Sequence, residues 1–83
     1  MPDDTGARSQ RAMQAILAYL ARHPTAADSE QGIAQWWLPE MNVEAPPPDV
    51  RRALDELVRQ QALGRTTLPD GSVIYRAVQS AVP

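Results

Sequence analysis

Catalysis needs a nucleophile, a base or a metal, and the side chains that supply them are scarce in this 83-residue chain. It has one histidine and no cysteine, so no thiolate nucleophile, disulfide framework or thiolate metal site can form. A structural zinc would have to draw nearly all its ligands from carboxylates, unlike the nitrogen and sulfur sets such sites use. His23 precedes Pro24 where a helix should end, and C-terminal capping with a favourable dipole interaction accounts for it. Ser9, Ser29, Ser72 and Ser80 lack the flanking pattern of a nucleophile elbow. The four glycines are spread too thinly for a phosphate-cradling loop. The expectation is a protein that is not an enzyme and uses no cofactor and no metal.

The residues with a chemistry of their own are instead suited to recognition. Residues 28–49 hold Asp28, Glu30, Glu40, Glu44 and Asp49 and no basic residue, and both tryptophans, Trp36 and Trp37, fall inside that acidic stretch. Both indoles lie at i+3 and i+4 from Ile33, so each could pack inward on a helix. Adjacent helical positions point about 100° apart, however, and so small a domain cannot easily bury both. Two readings stand: both tryptophans in the core, or one at the surface beside Leu38, Met41 and Val43, rimmed by Glu40 and Glu44. The second gives an aromatic anchor with a charged rim, the usual build of a protein-binding hot spot. The partner-binding set is then Trp36, Trp37, Met41, Glu40 and Glu44, facing a protein partner with a basic surface, and homodimerisation is compatible with it.

Arginine offers the competing chemistry, since all eight basic residues are arginine. Arg51, Arg52 and Arg59 lie off the apolar stripe of a strongly amphipathic segment, and with Arg65 they could contact phosphate or guanine. Against this, Arg51–Asp55, Arg52–Glu56 and Asp55–Arg59 are all i,i+4 pairs, each contributing about 0.3 kcal/mol. Non-specific DNA affinity depends chiefly on unpaired cationic charge, and the net charge of −2 is unlike the basic balance of most nucleic-acid domains. The run Pro46-Pro47-Pro48 could dock in an SH3-like groove, but its place just before a helix favours a role in starting that helix.

These residues need elements to position them. Ala12, Met13, Ile16, Leu17 and Leu20 form one helical stripe from about Arg8, stopped by Pro24. Thr25 to Ala27 could be a very short strand or a turn. Asp28, three residues before Gln31, reads as a capping box for a second helix that carries Ile33, Ala34, Trp36 and Trp37 and ends before Pro39. A stiff loop of about ten residues, judged by the spacing of its prolines, then leads to a third helix from Pro48. That helix carries Val50, Ala53, Leu54, Leu57 and Val58 and should end near Ala62, with Gly64 marking its exit. Two β-rich runs around Pro69-Asp70-Gly71-Ser72 make a hairpin.

Three helices followed by a hairpin, and in particular the passage from Val50-Arg51-Arg52-Ala53-Leu54-Asp55-Glu56-Leu57-Val58 through Leu63 to Tyr75, resemble the winged helix-turn-helix superfamily, including MarR-like and GntR-like bacterial regulators. The resemblance implies an α+β fold: a three-helix winged helix-turn-helix with a C-terminal two-stranded β-hairpin wing. The expected organisation is a disordered N-terminus over residues 1–7, a winged-helix domain over 8–78 and a flexible tail over 79–83. Most such bacterial domains bind DNA and a minority bind proteins. The long acidic loop, the prolines and Asp49 at the leading end of the third helix, and the acidic tip of the wing all weaken the case for phosphate. A protein-interaction adaptor is therefore the first expectation, and a DNA-binding transcriptional regulator using Arg51, Arg52, Arg59 and Arg65 is the alternative. No apolar run is long enough to span a bilayer, and the acidic start Met1-Pro2-Asp3-Asp4 lacks the apolar region of a secretory signal. The expected setting is the cytoplasm.

Overall fold

Helix α1 (Asp4–Arg22) buries Ala12, Ile16 and Leu20 of its expected stripe, whereas Met13 is half-buried and Leu17 is exposed; it begins at Asp4, ahead of the stripe that starts near Arg8. The computed structural model describes residues 4–78; residues 1–3 of the expected disordered N-terminus and the expected tail 79–83 lie outside the described residues. The His23 N–H still bonds to the Tyr19 carbonyl at 2.9 Å, and Pro24 then ends the helix because it has no donor to continue the ladder. A turn closed by Ala26 N–H to His23 O at 3.0 Å reverses the chain into strand β1 (Ala27–Asp28). No helix among the described residues is long and apolar enough to cross a membrane.

Helix α2 occupies residues 30–40 and is not uniform. It opens as α-helix over Glu30–Gly32, widens to a π-turn over Ile33–Trp37, and closes as α-helix over Leu38–Glu40. Its N-cap is Ser29, whose hydroxyl accepts the Gly32 N–H at 3.1 Å. The expected capping box built on Asp28 and Gln31 is corrected by one residue. The Asp28 carboxylate instead accepts the Ser29 N–H at 2.8 Å and lies against Gly32, where an added Cβ would fall 2.0 Å from Asp28 Oδ1.

Helix α2 also runs through Pro39 and does not end before it. In an unbroken α-helix the proline ring would clash with the Gln35 carbonyl and remove a ladder bond. The widened turn, marked by Leu38 N–H bonding to Ile33 O, sits just before the proline and absorbs that conflict. The helix finishes in a Schellman arrangement with Asn42 at φ 59°, Val43 N–H bonding to Leu38 O and Asn42 N–H to Pro39 O, both at 2.9 Å. The connector is therefore residues 41–46, shorter than the expected loop between Trp37 and Pro48.

Helix α3 (Pro47–Arg59) starts one residue before the expected Pro48, with Pro46 as cap. Pro47 and Pro48 fall in the first turn, where a missing donor costs nothing. Val50, Ala53, Leu54 and Leu57 are fully buried, as the i, i+3, i+4, i+7 repeat requires. The exit is not at Gly64. Gln61 takes the left-handed conformation (φ 64°), and Ala62 N–H bonds to Leu57 O at 2.8 Å, a second Schellman end. Gly64 lies inside strand β2 (Leu63–Thr67), opposite Arg76 of β3 (Val73–Ala77).

The hairpin turn forms as its residues dictate: Gly71 adopts φ 91°, and Asp70 Oδ1 accepts from both the Ser72 N–H and the Ser72 hydroxyl. The sheet, however, has three antiparallel strands in the order β1-β3-β2 and is not an isolated two-stranded wing. Ala27 and Asp28 pair with Arg76 and Tyr75, so the second edge of β3 finds its partners in the segment between α1 and α2. The fold is α+β, three helices against a three-stranded sheet, with one core of Ile16, Ile33, Leu38, Leu54, Leu57 and Leu63.

Candidate partner-binding surface

The π-turn decides the fate of the two tryptophans. In a widened turn, Ile33 and Leu38 both reach the core although five positions separate them, and both are buried. Trp37 goes inward with them and is 2% exposed, whereas Trp36 is 67% exposed. The Trp37 ring stacks on Tyr19 at 4.7 Å and 11°. Tyr19 in turn meets the His23 ring at 4.5 Å, and His23 Nε2 lies 3.2 Å from Glu40 Oε2. This chain of contacts ties the end of α1 to the end of α2.

The expected partner-binding set is thus divided. Trp37 is a core residue and leaves it. Leu38 is fully buried, and Met41 and Val43 are half-buried against the core, so the apolar patch anticipated around the exposed indole does not form from them. Schellman closure of α2 turns residues 41–43 back onto the domain and draws those side chains inward. Trp36 remains exposed, with the exposed Glu40 four residues further along α2. Glu40 is exposed and shared with His23, while Glu44 is exposed and makes no ion pair among the described residues. Glu44 edges a shallow groove lined by Ala34, Pro39, Val43 and Pro46. Trp36 lines none of four surface pockets among the described residues. At 67% exposed it stands out from the helix as a knob.

The arginines of α3 are mostly engaged, though not through the expected i,i+4 pairs. Arg51 Nε lies 3.4 Å from Glu30 on α2. Arg59 bonds to Glu56 one turn back, and Gln60 adds a second donor at 3.0 Å; these two hydrogen bonds hold the Glu56 carboxyl below its ordinary value. Asp55 pairs with Arg65 of β2 at 2.5 Å. Arg65 also lies 5.5 Å above the Tyr75 ring; burial lowers its pKa, but Tyr75 and Asp55 together outweigh that and raise it. Of the four arginines proposed to read nucleic acid, only Arg52 has no ion pair among the described residues. Asp49, at the leading end of α3, is 4% exposed and faces Arg8 at 3.8 Å.

Two arginines lie outside both expected binding sets. Arg11 and Arg22 of α1 are exposed and make no ion pair among the described residues, and residues 5–27 contain no acidic side chain. The signal was in the sequence as a charge segregation: a cationic first helix followed by an anionic second one. Comparison with protein-family models, with curated proteins and with solved structures found no match to this chain.

Proposed function

We propose that this chain is a non-catalytic winged-helix module that binds another protein, with Trp36 as the anchor and Glu40 and Glu44 as an acidic rim. The order of three helices and a closing hairpin supports the winged-helix reading. The observation that carries the binding role is the 67% exposure of Trp36 beside a Trp37 that is 2% exposed. A large indole held out on a well-packed helix is the kind of residue that dominates interface energies. The surrounding carboxylates favour a partner that presents lysine or arginine, which can also lie over the indole face.

The DNA-binding alternative has weaker support. A groove reader would depend on free cations along α3, and Arg51, Arg59 and Arg65 are held by Glu30, Glu56 and Asp55. The test is a pair of titrations at about 50 mM salt, where counterion release favours any true DNA binder. An arginine-rich peptide should shift the Trp36 emission saturably, and Trp36→Ala and Glu40→Gln/Glu44→Gln should abolish or weaken that shift. Labelled duplex DNA should give no binding. Tight, steeply salt-dependent DNA binding with no response to the peptide would reverse the assignment.

A further inference from the structure

Trp36 is an exposed knob, and among the described residues a basic surface of matching character lies on α1. Arg11 and Arg22 are exposed and unpaired among the described residues, and they bracket the exposed Ala18 on the outer face of the helix. Leu17, 42% exposed, points about 100° round the helix from Ala18 and lies off this face. At 1.5 Å per residue the two arginines stand about 16 Å apart along the axis, enough to flank an indole and the carboxylates beside it. The other unpaired arginines do not offer this. Arg52 stands one turn before Asp55 and Glu56, and Arg76 lies in a notch beside the turn Pro24–Ala26 with no second free cation.

We infer that the domain self-associates head to tail, the Trp36 face of α2 in one copy docking on the Arg11–Arg22 face of α1 in the next. The inference rests on the reading of Trp36 as an anchor and names its occupant, a second copy of this chain. A two-fold arrangement of α2 on α2 is opposed by charge, because the exposed Glu40 and Glu44 would face their own copies, and like charges facing each other across an interface are repelled. A head-to-tail contact sets anion against cation in every junction. It is heterologous, so each added copy leaves one knob and one receiving face free, and assembly continues beyond the dimer.

Sedimentation equilibrium of the full chain, from about 10 µM to about 1 mM, tests this. The weight-average mass should rise from the 9.1 kDa of one chain without levelling at two. It should fall back to one chain when salt is raised from about 50 mM to about 1 M, because the contact is electrostatic and rim-exposed. Trp36→Ala and the double variant Arg11→Glu/Arg22→Glu should each remain monomeric, with unchanged circular dichroism because all three side chains face solvent. Mixed in equal amounts, the two variants should form a two-chain species and nothing larger, since one supplies only the receiving face and the other only the knob. A wild-type mass of one chain throughout, a plateau at two chains, or a mixture that stays monomeric would each overturn the inference. A monomeric wild type that still responds to the arginine-rich peptide would leave Trp36 an anchor for a different protein, whereas loss of both responses removes the anchor itself.

Discussion

Replacing Trp37 by alanine removes an indole that is 2% exposed and stacked on Tyr19, so a cost of about 3–5 kcal/mol is expected in chemical denaturation. The neighbouring Trp36→Ala should cost no more than about 0.5 kcal/mol, as for other solvent-facing substitutions. Equal costs would show that both rings serve the core. Acrylamide should quench the wild-type emission as two populations and the Trp36→Phe variant as a single shielded one. At the end of α3, Gln61 sits at φ 64°, where a side chain costs about 1–2 kcal/mol and glycine nothing. Gln61→Gly should therefore raise the midpoint of thermal unfolding by several degrees. At the hairpin tip, the Ser72 hydroxyl and then its backbone N–H hold the Asp70 carboxyl below its ordinary value. A depressed carboxyl contributes stability above its unfolded pKa and loses it as pH falls through the folded one. An NMR titration should place Asp70 below the usual aspartate range, and Ser72→Ala should bring it part of the way back, the backbone donor remaining.

Among the elements, α2 carries the most consequential irregularity. If the π-turn over Ile33–Trp37 is one residue more than an α-helix needs, deleting the exposed Gln35 should restore the α-helical ladder. The present Trp37 and Leu38 would then fall at i+3 and i+4 from Ile33, still on the core face. Pro39 would then sit in an unbroken helix against the Ala34 carbonyl, so the deletion should cost about 3 kcal/mol or more in chemical denaturation. A loss below about 1 kcal/mol would mean that the wide turn does not serve Pro39. The apolar periodicities of α1 and α3 were legible because each spans several turns and repeats its own signal, although Leu17 of the α1 stripe is exposed and Ala15 takes a core place beside it. The ends were less so. Pro39 reads as a stop from local sterics alone, and only the widened turn before it lets the helix continue. Gly64 reads as an exit on its residue type, yet Gln61 takes the left-handed position because Ala62 and Leu63 must turn back into the core at that point.

For the whole molecule, the charge segregation between residues 5–27 and 28–49 governs what the surface can meet. Part of it is consumed within the domain: Arg8 faces Asp49, and Arg51 faces Glu30. What is left over is Arg11 and Arg22 on one side and Glu44 with Trp36 on the other. Exposed charges interact over only about 10 Å at ordinary ionic strength, so any association through them should be strongly salt-sensitive. The apolar part, Trp36 over Ala18, is too small to hold the contact once the charges are screened, and its contribution is the part that Trp36→Ala removes.

By itself the sequence determined the three helical stripes, the Pro-Asp-Gly-Ser hairpin, and the scarcity of groups able to do chemistry, because these follow from residue type and short-range spacing. It also placed two tryptophans in an acidic stretch, but left open which would be seen by solvent. Tertiary structure decided that. Whether an indole faces inward depends on the helix phase, and the phase of α2 is set by the π-turn, by Pro39 and by the need to bury Ile33 and Leu38 together. It likewise gave β3 a second partner in Ala27–Asp28, a pairing of residues far apart in sequence that no local pattern specifies. The ion pairs of α3 follow the same rule: local spacing offered i,i+4 partners, and neighbouring elements supplied Glu30 and Arg65 in their place.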